Sequence, residues 1–224
     1  FQQVMWAFGG SWGNHETYTA EGYVNSPETV QALTFFKSLL AFSPKGAENY
    51  DYGRTMEAFT NDSTAMVMDY FAFYPTMVEQ MGNKAGFFSM PEKDGKRFVS
   101  LGGQGFSVSA KVSPARQEQA KKFIAWFLTT EIQKKWITKP GGFTANTEVL
   151  KSEEFRKAAP YNGPFADSLD AMQDFWNVPQ YNELLAAAQK YIGEVLDGKQ
   201  EAEPALDALA QEHDKIFQTA GLKE

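Results

Sequence analysis

Apolar residues recur along this chain with a helical period in long blocks and as short continuous runs between them, and the two patterns predict different elements. Val30, Leu33, Phe36 and Leu40 fall on one face of a segment that opens with Ser26-Pro27-Glu28. Each of these three suits a helix start. The serine hydroxyl caps free amides, the proline has no amide to leave orphaned, and the glutamate meets the positive end of the dipole. Ser43-Pro44 ends the helix. Phe1–Phe8 reads as an earlier helix stopped by Gly9-Gly10, and Tyr74-Pro75 opens another that ends near Gly82. Ser113-Pro114 repeats the cap-plus-proline start ahead of a stripe of Ala120, Phe123, Ile124 and Phe127. Thr130-Glu131 begins a shorter helix through Trp136, and Lys139-Pro140-Gly141-Gly142 breaks the chain. Beyond it, Phe165, Leu169 and Met172 share a helical face. Tyr181, Leu184, Leu185, Ala188, Tyr191, Ile192 and Val195 form the clearest amphipathic pattern. Pro204 opens the last helix, with Leu206, Leu209, Ile216 and Phe217, before Gly221.

Between these blocks lie four short apolar runs predicted as strands: Ala65–Met68, Ala85–Ser89, Phe98–Leu101 and Phe106–Ala110. Strands alternating with helices point to a helix-rich α/β fold with a parallel or mixed sheet. The first run follows a polar turn at Asn61-Asp62 and discharges into Tyr70, Phe71, Phe73 and Tyr74. Ligands of open α/β sheets sit beyond the carboxyl ends of strands, which makes this exit the first place to look for a site.

At 224 residues the chain holds one large domain or two small ones. A net charge of −7 argues against nucleic acid or an anionic membrane surface as partner. The absence of cysteine removes disulfides, thiolate metal sites and cysteine nucleophiles. No apolar run is long enough to cross a bilayer, and no signal-peptide pattern is present. Phe1 stands inside an apolar segment, so the sequence reads as beginning within a longer chain. His15 and His213 have no acidic or histidine partner at ligand spacing and read as surface residues, so no metal site or histidine-based triad is expected. No glycine loop carries the lysine of a phosphate-binding loop or the spacing of a dinucleotide fingerprint, and no cofactor is expected. Asp69, with Asp167, Asp170 and Asp174, leaves open a glycosidase-like carboxylate pair, whose defining separation a sequence does not supply.

What does recur is glycine beside an aromatic or amide at element ends. Gly9-Gly10 with Trp12, Tyr70-Phe71, Gly102-Gly103-Gln104, Gly141-Gly142-Phe143 and Asp174-Phe175-Trp176-Asn177 are the five cases. Glycine permits close backbone approach, and ring faces with amides suit a neutral polyhydroxy ligand. Together the five favour a binding cleft.

The stretches GGSW, VNSPETVQALTFFKSLL, AFTNDSTAMVMDYF, GFFSMPEKDG, VSLGGQGFSVSA, EQAKKFIAWFLTTEIQKKW, GGFTAN and ALDALAQEHDKIFQTAG stand in the order of the bacterial extracellular solute-binding proteins of family 1, which the chain resembles over essentially its whole length. The resemblance implies a periplasmic-binding-protein-like fold of type II, two α/β lobes joined by a hinge, with the N-terminal part of the first lobe missing. It assigns 1–90 and 140–224 to the second lobe and 91–139 to the first, where Phe123, Ile124 and Phe127 would lack packing partners. It implies a non-enzymatic receptor of an ABC importer, periplasmic or extracellular and membrane-associated. The ligand would be a neutral sugar or polyol, and the partners the permease and the missing N-terminal portion. By position it carries over a ligand-binding set of Trp12, Tyr70, Phe71, Tyr74, Gly102, Gly103, Gln104, Phe143, Trp176 and Asn177. After Phe143 the family often continues with proline and arginine; Thr144 and Ala145 stand here instead, which removes a charged contact. The rival expectations are a carbohydrate-active enzyme using Asp69 and a protein-interaction module on the same fold.

Overall fold

The structure is a computed structural model, and it describes residues 1–103 and 105–223. Helices dominate. In chain order they are α1 (Gln2–Phe8), α2 (Pro27–Ser38), α3 (Tyr52–Thr60), α4 (Tyr74–Met81), α5 (Pro114–Phe127) and α6 (Thr130–Trp136). Then follow α7 (Thr147–Leu150), α8 (Glu153–Ala158), α9 (Asn162–Asp167), α10 (Tyr181–Leu196) and α11 (Ala202–Thr219). The capping chemistry read from the sequence is present at α2, where the Ser26 hydroxyl accepts from the Thr29 amide at 3.3 Å. Asp51, Asn146 and Ser152 cap α3, α7 and α8 in the same way. Ser113 opens α5 without a side-chain cap bond. Gly9 closes α1 with φ of 93°, a left-handed conformation that costs a residue without Cβ nothing.

Strands are scarce among the described residues. β1 (Val99–Ser100) and β2 (Met172–Gln173) pair in parallel, and the Leu101 amide adds a bond to the Gln173 carbonyl at 2.7 Å. Of the four predicted strands, Phe98–Leu101 survives, shortened. Ala65–Met68, Ala85–Ser89 and Phe106–Ala110 run without strand pairing. Met66 is 75% exposed, where a buried strand was expected. A strand's amides and carbonyls need a neighbouring strand, and no described segment pairs with these three. Met172, expected on a helix face with Phe165 and Leu169, lies in β2.

The chain divides into two compact units, 1–67 with 90–101 and 171–224, and 68–89 with 102–170. The core of the first unit is helical and aromatic. Met5, Leu33, Leu184, Leu206, Leu209 and Phe217, from α1, α2, α10 and α11, are fully buried. His213 sits among them, wholly buried rather than at the surface as the sequence implied. Its Nε2 lies 2.9 Å from the Leu184 carbonyl. A carbonyl only accepts, so Nε2 carries the proton and Nδ1 keeps a lone pair, which has no partner.

The second unit has a smaller core of Ile137, Val149, Leu150 and Phe155. Helix α5 buries no residue at all. Phe123 is 52% and Trp126 53% exposed, and Phe106, Phe123 and Phe127 touch one another at ring-centroid distances of 5.3 to 6.3 Å. Apolar rings massed at the surface are a place for association. The 224-residue chain is therefore expected to bind a hydrophobic dye and to elute as an oligomer. Replacing Phe123 and Trp126 by glutamine should reduce both, and a dye-silent monomer would contradict the exposed patch.

His213 generates a second expectation. Burial holds its pKa below the ordinary value, while the Leu184 hydrogen bond and the Asp214 and Glu212 carboxylates pull it partly back. The folded form binds that proton more weakly than the unfolded chain, so stability is full above about pH 6.5 and is lost as pH falls towards the depressed folded value. Urea unfolding from about pH 8 to about pH 5 should show a steeper loss in the wild type than in His213→Gln. Equal slopes would refute the assignment.

Candidate functional site

The exit from Ala65–Met68 is organised by a carboxylate. Asp69 Oδ1 accepts the Tyr70 amide at 2.7 Å and turns the chain into a 3₁₀ turn over Phe71–Phe73, which runs on into α4. Tyr70, Phe71 and Tyr74 leave this turn as a group. The Phe71 ring lies edge-on to Phe143 at 4.5 Å and to Phe165 at 5.2 Å, and 4.4 Å from Tyr70. Tyr74 lies 5.2 Å from Phe87 and 5.9 Å from Tyr161. Phe143 closes the group, 5.6 Å from Tyr161 and 5.0 Å from Phe165. Edge-to-face geometry at these distances is the favourable arrangement for ring quadrupoles.

Phe143 is delivered by the break after α6. Gly141 takes φ of +70°. A Cβ at Gly142 would stand 2.0 Å from the Trp136 carbonyl oxygen, so only glycine fits that bend. Trp136 Nε1 donates to the Phe143 carbonyl at 2.9 Å. Thr144, at the place where a charged contact was already doubted, is buried and donates to Gln133 Oε1 at 2.5 Å; Gln133 Nε2 in turn donates to the Phe127 carbonyl at 2.7 Å. This closed network pins the turn from beneath.

Gly102 joins the ring cluster. A Cβ there would meet Tyr70 Cε2 at 2.8 Å, so the phenol lies against bare backbone. Gly103 takes φ of +141° with open space around it. Gln104 lies outside the described residues. Of the expected set, the structure thus brings together Tyr70, Phe71, Tyr74, Gly102 and Phe143. Trp12 and Trp176, expected to face a ligand, are buried instead. The Trp176 ring stands 4.7 Å from Phe217 and is overlaid by His15 at 4.4 Å, and Trp12 packs edge-on to Phe175 at 4.8 Å. Large rings beside a helical core gain more by packing than by facing water. Asn177 is exposed. Phe87, Tyr161 and Phe165 belong to the cluster and were not singled out for it. Phe165 was visible only as a helix-face residue, and Tyr161 carried no sequence signal.

Asp69 is the titratable group of the cluster. Burial raises its pKa and the Tyr70 amide bond pulls it back, while Oδ2 is buried and has no partner among the described residues. Burial and the Asp69 charge together raise the pKa of Tyr74, whose hydroxyl donates to the Asp69 carbonyl at 3.3 Å. The other carboxylates considered for catalysis are engaged or solvated. Asp167 is held by Arg156 at 2.7 Å, Asp174 accepts the Phe175 amide at 2.8 Å, and Asp170 is exposed. Among the described residues no group of His, Asp and Glu could hold a metal ion, and no helix is long and apolar enough to cross a membrane.

Comparison with solved structures defines the fold as periplasmic-binding-protein-like. Maltose-bound MalE3 from T. maritima superposes with a TM-score of 0.82 at 22% identity over 96% of this chain and 56% of that one. An ABC transporter solute-binding protein from Agrobacterium radiobacter in complex with ribitol gives 0.78 at 24% identity, over 96% and 56%. One from Thermotoga lettingae bound to α-D-tagatose gives 0.81 at 22%, over 96% and 55%. The chain spans a little over half the length of these structures. The family model described as bacterial extracellular solute-binding protein matches residues 1–162, and the chain belongs to that family. No curated protein matches it.

The close approach at Gly142 sets an expected outcome. Gly142→Ala should destabilise the second unit by about 2 kcal/mol, as overpacking against backbone does, and shift the Trp136 fluorescence. An unchanged melting curve would mean the turn relaxes freely.

Proposed function

We propose that this chain is the ligand-gripping portion of an extracellular or periplasmic receptor of an ABC importer, and that it takes a neutral sugar or polyol. The single observation that carries this is the ring cluster of Tyr70, Phe71, Tyr74 and Phe143, assembled from separate stretches of chain and laid against the backbone of Gly102. Sugar rings offer apolar faces for such phenyl groups and hydroxyls for tyrosine tips and peptide groups. Family membership and the maltose, ribitol and tagatose held by the structural neighbours support the same class of ligand. Neither lysine nor arginine joins the ring contacts, which disfavours a phosphorylated or acidic ligand. The tie of Asp167 to Arg156 deprives an Asp69-based hydrolase of one candidate second carboxylate, so binding accounts for the site better than catalysis.

On this reading the permease of the importer is the partner that receives the loaded receptor. Residues beyond these 224 complete the fold and cover the exposed rings of α5. Closure over the ligand excludes water, which strengthens each hydrogen bond made to it.

Isothermal titration of the complete receptor with maltose, ribitol and tagatose tests the reading. At least one should bind, and Tyr70→Ala should weaken it about ten-fold, the scale of a lost ring contact. If none binds, or if Tyr70→Ala and Phe71→Ala leave every affinity unchanged, the assignment fails.

A further inference from the structure

The carboxylate of Asp69 is left half-used in a way the ring cluster does not explain. Its Oδ1 is taken by the Tyr70 amide at 2.7 Å, and its Oδ2 is shut off from water with no donor among the described residues. The nearest hydroxyl, that of Tyr74, spends its donor on the Asp69 backbone carbonyl at 3.3 Å. The Tyr70 hydroxyl makes no hydrogen bond among the described residues either, and its ring is held only by Phe71 and by contact with Gly102. No lysine or arginine forms an ion pair with Asp69.

An unpaired, dry carboxylate oxygen beside aromatic rings is costly to hold, and a donor brought to it relieves that cost. We propose that Asp69 is the specificity-determining residue of this site, accepting a hydrogen bond from a hydroxyl or ammonium group of the ligand and turning away ligands that carry a carboxylate. The inference rests on the sugar-receptor reading above. The ligand class narrows to sugars or polyols that offer a hydrogen-bond donor to the Asp69 carboxylate. The negative charge of Asp69 and the negative faces of the rings act in the same direction, favouring neutral and cationic ligands over anionic ones. The ring of Tyr70 is the movable cover. Among the described residues it has no hydrogen bond to break.

The test uses the complete receptor, titrated with maltose, ribitol, tagatose, glucosamine and glucuronate in wild-type, Asp69→Asn and Tyr70→Ala forms. Asparagine keeps an acceptor for the Tyr70 amide and puts an N–H₂ where Oδ2 stood. It should weaken every neutral or cationic ligand about ten- to hundred-fold, the scale of a hydrogen bond to a charged group, and it should improve glucuronate. In the wild type, which needs no variant to fold, glucuronate should bind at least ten-fold more weakly than the best neutral or cationic probe. Glucuronate bound as tightly as that probe, or Asp69→Asn within two-fold of wild type while Tyr70→Ala abolishes binding, overturns the role of Asp69 and leaves the receptor reading intact. Binding of no probe at all overturns both.

Discussion

Backbone hydrogen bonding separates this chain into segments that satisfy themselves and segments that depend on a neighbour. A helix closes its own amide-to-carbonyl ladder and needs only a face to bury and a cap at each end. A strand closes nothing until another strand lies beside it. Among the described residues four of the eleven α-helices have side-chain caps, from Ser26, Asp51, Asn146 and Ser152, while the pairing of Val99–Ser100 with Met172–Gln173 is the only strand ladder. Ala65–Met68 keeps the composition of a core strand and is unpaired among the described residues. Helix α5 likewise buries no residue and leaves Phe123 and Trp126 exposed.

The site depends on close approach at glycine. Aromatic rings become a binding surface only when something holds them at fixed angles, and here that is done by backbone rather than by charge. Gly142 lets the chain fold back onto the Trp136 carbonyl and bring Phe143 to Phe71, and Gly102 lets the Tyr70 ring rest on bare main chain. The buried Thr144–Gln133 pair locks that turn from within. A surface built in this way is apolar and electrically quiet apart from Asp69, whose charge is desolvated by its surroundings. On the proposed reading, that contrast lets one carboxylate dominate the choice of ligand.

Packing and binding compete for the same residue types. Trp12, Phe175 and Trp176 have the rings and neighbours of a sugar platform, yet they lie against Phe217 and the neutral imidazole of His213 in the helical core. His213 is tolerated there because one nitrogen finds the Leu184 carbonyl and the other can stay unprotonated. Spacing alone distinguished neither role, because large rings that stack on sugars are the same rings that fill cores.

The sequence by itself determined most of the longer helices, the Ser26 cap and the glycine stops, because these depend on residues within one or two turns of each other. It also determined the family, and it identified Tyr70, Phe71, Tyr74, Gly102 and Phe143, which the structure draws into one cluster. Only the tertiary structure decided which of the predicted strands found a partner, that His213 is buried, that Trp12 and Trp176 belong to the core, and that Tyr161 and Phe165 complete the ring cluster. Those outcomes depend on which distant segments meet, and local pattern does not encode it. The run from Ala58 to Tyr74 shows both halves of this. Its helix and turn were readable from adjacent residues, whereas its expected strand is unpaired among the described residues and its aromatic exit acquired a shape from Gly102, Phe143 and Phe165.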